Sequence, residues 1–235
     1  MAKRERPILF SGPMVRAILE GRKTQTRRVV KHDASKGWGD VRDTDGWPLQ
    51  QTEQAVWSRV ACPYGVPGDR LWVKETACYW TYADGTVGGQ TPVVYADSPC
   101  WDGVCRDARA GRPVSLEEHI GWWKKRSSIH MPRRYSRLTL EVVAVRVERL
   151  QAISDNDAYA EGVEMVRGPQ NPTYGVPGQA PTFKHYTNPA FNGGNGVGVA
   201  HSYRTLWESI NGSGSWDANP WVWVVEFRRL TNGEA

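Results

Sequence analysis

The sequence predicts an α+β fold: a small curved sheet with flanking short helices and large loop insertions. Three observations carry the prediction. A short amphipathic helix at 11–20 runs directly into an alternating segment at 24–28. Three further segments, 70–76, 138–147 and 221–227, are rich in Val, Leu and Trp and alternate with period two, or nearly so. The stretches 30–65 and 165–199 are polar or rich in Gly, Pro and Asn, and show no such period.

A chain of 235 residues is one domain with insertions, or at most two domains. With 40% hydrophobic and 23% charged residues it can build a core. A net charge of +5 permits polyanion binding without requiring it. No apolar run is long enough for a membrane span, so no membrane partner is expected. Met1–Arg6 is not followed by an apolar stretch of signal-peptide character, and a cytoplasmic location is the expectation. Twelve tryptophans are an excess. Trp72, Trp207 and Trp223 lie in periodic apolar segments and are expected in the core, whereas Trp122 and Trp123, beside basic residues, are candidates for an exposed role. Of the four cysteines, Cys100 and Cys105 have a spacing near that of zinc ligands, but no second tight pair accompanies them. Reduced thiols, no metal and no cofactor are expected.

The elements follow in order. Ser11 suits an N-cap, Pro13 the first turn, and Met14, Val15, Ile18 and Leu19 one helical face. Gly21 suits the left-handed position that ends a helix. Beyond it Thr24, Thr26 and Arg28 share one phase of a strand, and Lys23, at the bend, can lean over their face. Pro67-Gly68-Asp69 is a tight turn that delivers the strand Arg70–Thr76, and Pro92–Ala96 is a second short strand. Ser115 could cap a short helix from Leu116 with Glu117 and Glu118 in its first turn. Residues 121–137 form the densest mixture of basic and aromatic side chains. Lys124, Lys125, Arg126, Arg133, Arg134 and Arg137 suit phosphates, and Trp122, Trp123 and Tyr135 suit stacked bases; a solvated loop with core aromatics fits the same residues.

Leu138, Leu140 and Val142 share one phase of the next strand, and Val143, Val145 and Val147 share the other. That switch suggests a bulge near Val142, which would curve the sheet toward a small barrel, or a strand covered on both faces. Ser154 with Asp157 reads as a helix start and Gly162 as its stop, so Glu161 ends a short helix. An anion is disfavoured at that end and wants a cation beside it. The 165–199 segment, punctuated by Tyr174, Phe183, His185, Tyr186 and Phe191, reads as a lid or partner loop. Tyr203, Leu206, Trp207 and Ile210 then mark a helix stopped by Asn211-Gly212, and Trp221–Phe227 is the last strand.

Gly21, Lys23, Thr26 and Arg28 fit G-x-K-x-x-T-x-R, and the chain here resembles the ASCH domain family, a branch of the PUA-like β-barrels. The resemblance extends over 6–28, 66–76, 137–162 and 220–228, with the opening Arg6–Phe10 and the stretch Ile129–Arg133 similar to phage and prophage members. It implies a single PUA-like barrel with insertions at about 30–65, 97–135 and 165–199. ASCH amidohydrolases deacylate N4-acetylcytidine with a lysine and a threonine of this motif and a helical glutamate. The resemblance carries those roles to Lys23, Thr26 and Glu161, and makes Arg27 and Arg28 candidates for binding a phosphate or polarising a carbonyl. Other members bind nucleic acid without turnover. The implied partner is a nucleoside or nucleic acid, RNA rather than DNA. The residues themselves add one constraint: a lysine can serve as base to the Thr26 hydroxyl only if burial lowers its pKa, and an ionised Glu161 opposes that.

Overall fold

The computed structural model describes residues 4–31, 43, 47–51, 57–82, 93–96, 98–110, 114–116, 119–167, 182–184, 186–187 and 198–231. The elements are β1 (Glu5–Leu9), α1 (Gly12–Leu19), β2 (Gln25–Val29), β3 (Leu49–Gln51), β4 (Trp57–Arg59), β5 (Arg70–Lys74), β6 (Ala77–Tyr82) and β7 (Val93–Tyr95). They continue with α2 (Trp101–Ala110), β8 (Val114–Leu116), β9 (His119–Arg126), β10 (Thr139–Arg149), α3 (Asp155–Ala160), β11 (Met165–Arg167), β12 (Thr182–Phe183), α4 (Val199–Asn211) and β13 (Trp221–Arg229). The fold is mixed α+β and mostly strand. Among the described residues no sheet closes on itself, and no helix is long and apolar enough to cross a membrane.

The chain divides into two compact units. The first comprises Met1–Leu19, Gly68–Glu141 and Arg229–Ala235. In it β1 runs parallel to β5, Glu5 opposite Arg70 through Leu9 opposite Lys74, and the start of β10 pairs antiparallel with β5. The expected strand at 70–76 is thus present, with Leu71 and Val73 on its buried face. A second sheet of this unit has the order β7-β6-β9-β8. Sequence reasoning placed only β7 of these four. It expected a helix from Leu116 and a basic loop from 121; the structure has strands β8 and β9. Six residues of β9 pair in register with β6, from Ala77 opposite Arg126 to Tyr82 opposite Gly121, so a partner distant in sequence overrides the local helix signal. Alternation sends Cys78, Trp80 and Trp123 to one face, against Cys105, Trp101 and Ala108 of α2. Ala77 and Tyr79 go to the other, against Met131 and Tyr135.

The second unit comprises Glu20–Pro67 and Val142–Arg228. Its sheet is the rest of β10, then β13, then β2, with β13 and β2 antiparallel, Val222 opposite Val29 through Glu226 opposite Gln25. The buried side chains of β10 change phase along the strand: Leu140 and Val142 early, Val147 late. Leu150, Ala158, Val163, Phe183, Tyr203, Trp207, Val222 and Val224 form the core under α3 and α4. Trp207 and Trp223 are core residues as expected, and Trp72 is half-buried under the Lys74 ammonium. Within the segment expected as a lid or partner loop, Phe183 is a core residue: it is buried on β12, which pairs with β11. Trp47 packs edge-on to Trp223 and donates its indole N–H to the Val60 carbonyl, so this part of the 30–65 insertion is anchored to the sheet. Tyr174, His185 and Phe191 lie outside the described residues.

Candidate functional site

The site grows from two local structures of the second unit. The first is α3. Its N-cap is Ser154, whose hydroxyl oxygen accepts from the Asp157 N–H and whose O–H donates to the Asp157 carboxylate. Its last residue is Ala160, Glu161 caps it, and Gly162 follows at φ 82°. The helix is therefore built to stop with Glu161 in a fixed place. Gly162→Ala should cost about 1–2 kcal/mol, the usual strain of an L-residue in that region, read as a lowered urea midpoint with an unchanged m value.

The second is the approach to β2. Here the chain is extended and meets the end of α3 by backbone: Lys23 and Glu161 form an antiparallel bridge and the Thr24 N–H donates to the Ala160 carbonyl. That docking sets the Lys23 ammonium on the Glu161 carboxylate at 2.8 Å. The ammonium also donates to the carbonyls of Gln25 (2.8 Å) and Glu161 (2.9 Å). Three acceptors use all three of its donors. Lys23 is only 2% exposed and Glu161 5%. Burial lowers the pKa of Lys23 below the usual lysine value, with the Arg28 and Arg27 charges adding to the fall and Glu161 opposing it.

Arg27 completes the centre. Its guanidinium is fully buried and reaches Glu161 at 3.4 Å, Asp157 at 3.3 Å and Glu148. Arg146 extends the network to Asp157 (2.8 Å), Glu148 (3.4 Å) and Glu226. Burial would push Asp157 up, but Ser154, Arg27 and Arg146 outweigh it and hold its carboxyl below the ordinary value. Tyr203 lies under the Arg27 guanidinium, 5.9 Å from ring centroid to cation. Burial, then the Glu161 charge, raises its hydroxyl well above the usual range, so it stays neutral.

Two of the three residues expected to act together are thus in contact. The third, Thr26, is buried, and no described residue hydrogen-bonds its hydroxyl. Sequence reasoning missed Gln25, Arg146, Glu148, Asp157 and Tyr203. The signal for the first lay in the alternation: Lys23, Gln25 and Arg27 share a phase, and all three are buried. Arg27 corrects one expectation. A guanidinium already ringed by carboxylates is not available to a phosphate.

The residues expected to contact nucleic acid belong to the first unit. Lys124, Lys125 and Arg134 are exposed and Trp122 is half-buried. Trp123 is a correction: it is 8% exposed and packs edge-on to Trp80 at 5.5 Å, as an apolar strand face covered by α2 requires. Tyr135 is another: its ring lies 4.8 Å from that of Tyr79, with the Arg134 guanidinium over it, so no face is left for a base. Arg133 is held by the Glu5 carboxylate at 3.0 Å. Lys124, Lys125, Arg126, Ser127, His130, Trp123 and Ala108 line a cavity of about 510 Å³. Among the described residues no group of His, Cys, Asp or Glu could hold a metal; Cys78 and Cys105 lie 3.8 Å apart as free thiols, with Cys78 pushed up to about 12 by burial and its neighbour. Comparison with protein-family models, curated proteins and solved structures finds no match for this chain.

Proposed function

We propose that the chain is an ASCH-type member of the PUA-like fold that hydrolyses an acyl amide on the exocyclic amine of a cytidine-type nucleoside. The observation that carries this reading is the buried contact between Lys23 and Glu161 across 138 residues of chain. Helix-end anions are disfavoured without a cation, and a lysine is costly to bury; a site that brings the two together has a reason beyond packing. In the proposed reaction the Thr26 hydroxyl attacks the acyl carbon, its proton passes to the Lys23–Glu161 pair, and the nucleoside amine leaves with that proton. Water then frees the acyl group from Thr26. Arg28, half-buried on the same strand, would polarise the carbonyl. The pair is closed to solvent at rest, so the substrate-bound state must open it.

A second reading, a non-catalytic RNA or modified-base binder, is favoured by the exposed cations of β9 around their cavity. One experiment separates them: incubation with N4-acetylcytidine and related acylated nucleosides. Turnover that disappears in Thr26→Val, which keeps the shape of the buried side chain and breaks no hydrogen bond to a described residue, supports the hydrolase. Full turnover in Thr26→Val overturns its mechanism. No turnover at all, with salt-sensitive RNA binding, supports the binder.

A further inference from the structure

The pairing of β6 with β9 places Tyr79 opposite Lys124 and Ala77 opposite Arg126. Alternation therefore puts Tyr79 and Arg126 on one face of the sheet. The chain returns over that face after β9. A short 3-10 turn, Arg133–Tyr135, is closed by the Tyr135 N–H donating to the Pro132 carbonyl. The Tyr95 hydroxyl donates to the Tyr135 carbonyl at 2.8 Å and fixes the turn from the other side. The result is a second cavity, of about 170 Å³, lined by Tyr79, Arg126, Pro132, Arg134 and Tyr135. That is the volume of about five waters, enough for a tetrahedral oxyanion.

Its lining is unusual in what it leaves unmade. Tyr79 is 1% and Tyr135 8% exposed, yet neither phenol hydroxyl has a hydrogen-bond partner among the described residues. Buried hydroxyls are normally satisfied, and an orphan is costly. Here two orphans line one cavity. The exposed Arg126 and Arg134 form no ion pair with a described residue. The carboxylate whose charge Tyr79 feels, Glu75, is taken by a bidentate contact from Arg137 at 2.8 and 2.9 Å. Among the described residues no carboxylate lines the cavity.

We propose that this cavity binds the phosphoryl group of a nucleotide, with Arg126 and Arg134 pairing its charge and the Tyr79 and Tyr135 hydroxyls donating to its oxygens. Two guanidiniums and two neutral donors match a phosphomonoester dianion. Burial, then the neighbouring phenols, push Tyr79 up to about 12, so it remains a donor. Arg126 also lines the larger cavity beside Lys124, Lys125 and His130, which gives the rest of the ligand a place to lie. None of these residues belongs to the Lys23 site, and the pocket stands whether or not that site hydrolyses anything.

The test is thermal shift and isothermal calorimetry at constant ionic strength. The probes are inorganic phosphate, a nucleoside 5′-monophosphate, and a short single-stranded oligoribonucleotide with or without a 5′ phosphate. Phosphate and the monophosphate should each raise Tm. Arg126→Gln and Arg134→Gln should each weaken binding about tenfold or more. Tyr79→Phe and Tyr135→Phe should weaken it too, while leaving the Tm of the free protein unchanged or higher, since each removes an unsatisfied group. Equal affinity for the monophosphate and the oligonucleotide identifies a free nucleotide as the source. Tighter binding of the phosphorylated oligonucleotide alone identifies a strand end. The proposal is overturned if no probe shifts Tm, or if the Arg126→Gln/Arg134→Gln double variant binds as the parent does. It is also overturned if Tyr79→Phe lowers the free Tm and leaves affinity intact.

Discussion

Glu161→Leu is expected to lower the unfolding free energy by about 3–5 kcal/mol at pH 7, and Lys23→Met by clearly less. The asymmetry follows from what each change leaves behind. Without the carboxylate at 2.8 Å, the buried Lys23 ammonium keeps the carbonyl oxygens of Gln25 and Glu161 but loses the anion that balances its charge. It must stay charged in a low-dielectric site or give up its proton. Without the ammonium, Glu161 still has Arg27 at 3.4 Å. The double variant Lys23→Met/Glu161→Leu should be more stable than Glu161→Leu alone, because a buried ion pair replaced by apolar groups of similar size is often close to neutral. Urea unfolding of the four proteins in this cycle gives the coupling directly. A double variant that loses the sum of the two single losses would show that the pair is not energetically coupled. Both changes abolish the proposed turnover with a large stability effect, whereas Thr26→Val removes the nucleophile with a small one.

Arg27→Leu should produce the other large effect, and that effect shrinks as pH falls. Removing the guanidinium leaves Glu148, Asp157 and Glu161 gathered around Lys23 and Arg146 alone. A loss of about 3–5 kcal/mol is expected at pH 7. In the parent, Asp157 is held below its ordinary value, so it contributes stability above about pH 4 that disappears as pH falls. In the variant Asp157 loses the Arg27 charge, one of the causes that hold it down, and keeps less of that pH-dependent stability. The gap between the two urea midpoints should therefore narrow as pH falls from about 5 toward 3. A gap that is constant or widens over that range would mean that Arg27 does not hold the Asp157 carboxyl down.

Short-range signals were legible and long-range pairings were not. Ser154, Asp157 and Gly162 define α3 from within one short segment, so the position of Glu161 could be read directly. The face of β2 could not be. Alternation offers two phases; docking against α3 brings Lys23, Gln25 and Arg27 inside, and Thr26 of the other phase is buried as well. The motif at 21–28 drew attention to Thr26 and Arg28, while Arg27 takes the buried charge. The sheet containing β9 was missed for a related reason. Lys124, Lys125 and Arg126 look like a solvated loop until β6 supplies the ladder. Glu148 and Arg146 lie on β10 among alternating valines, where nothing local marks one charged side chain as paired beneath the surface.

The bridge between Lys23 and Glu161 spans 138 residues, and β2 is completed only by the last strand, Trp221–Arg229. During synthesis, β2 and its two cations emerge early and must wait. Their anionic counterparts are still untranslated, and the flanking strand follows later still. Such high contact order implies slow maturation and a long-lived nascent state with an open sheet edge. A message truncated before Trp221 would yield a chain that is a chaperone client rather than a folded, less active protein.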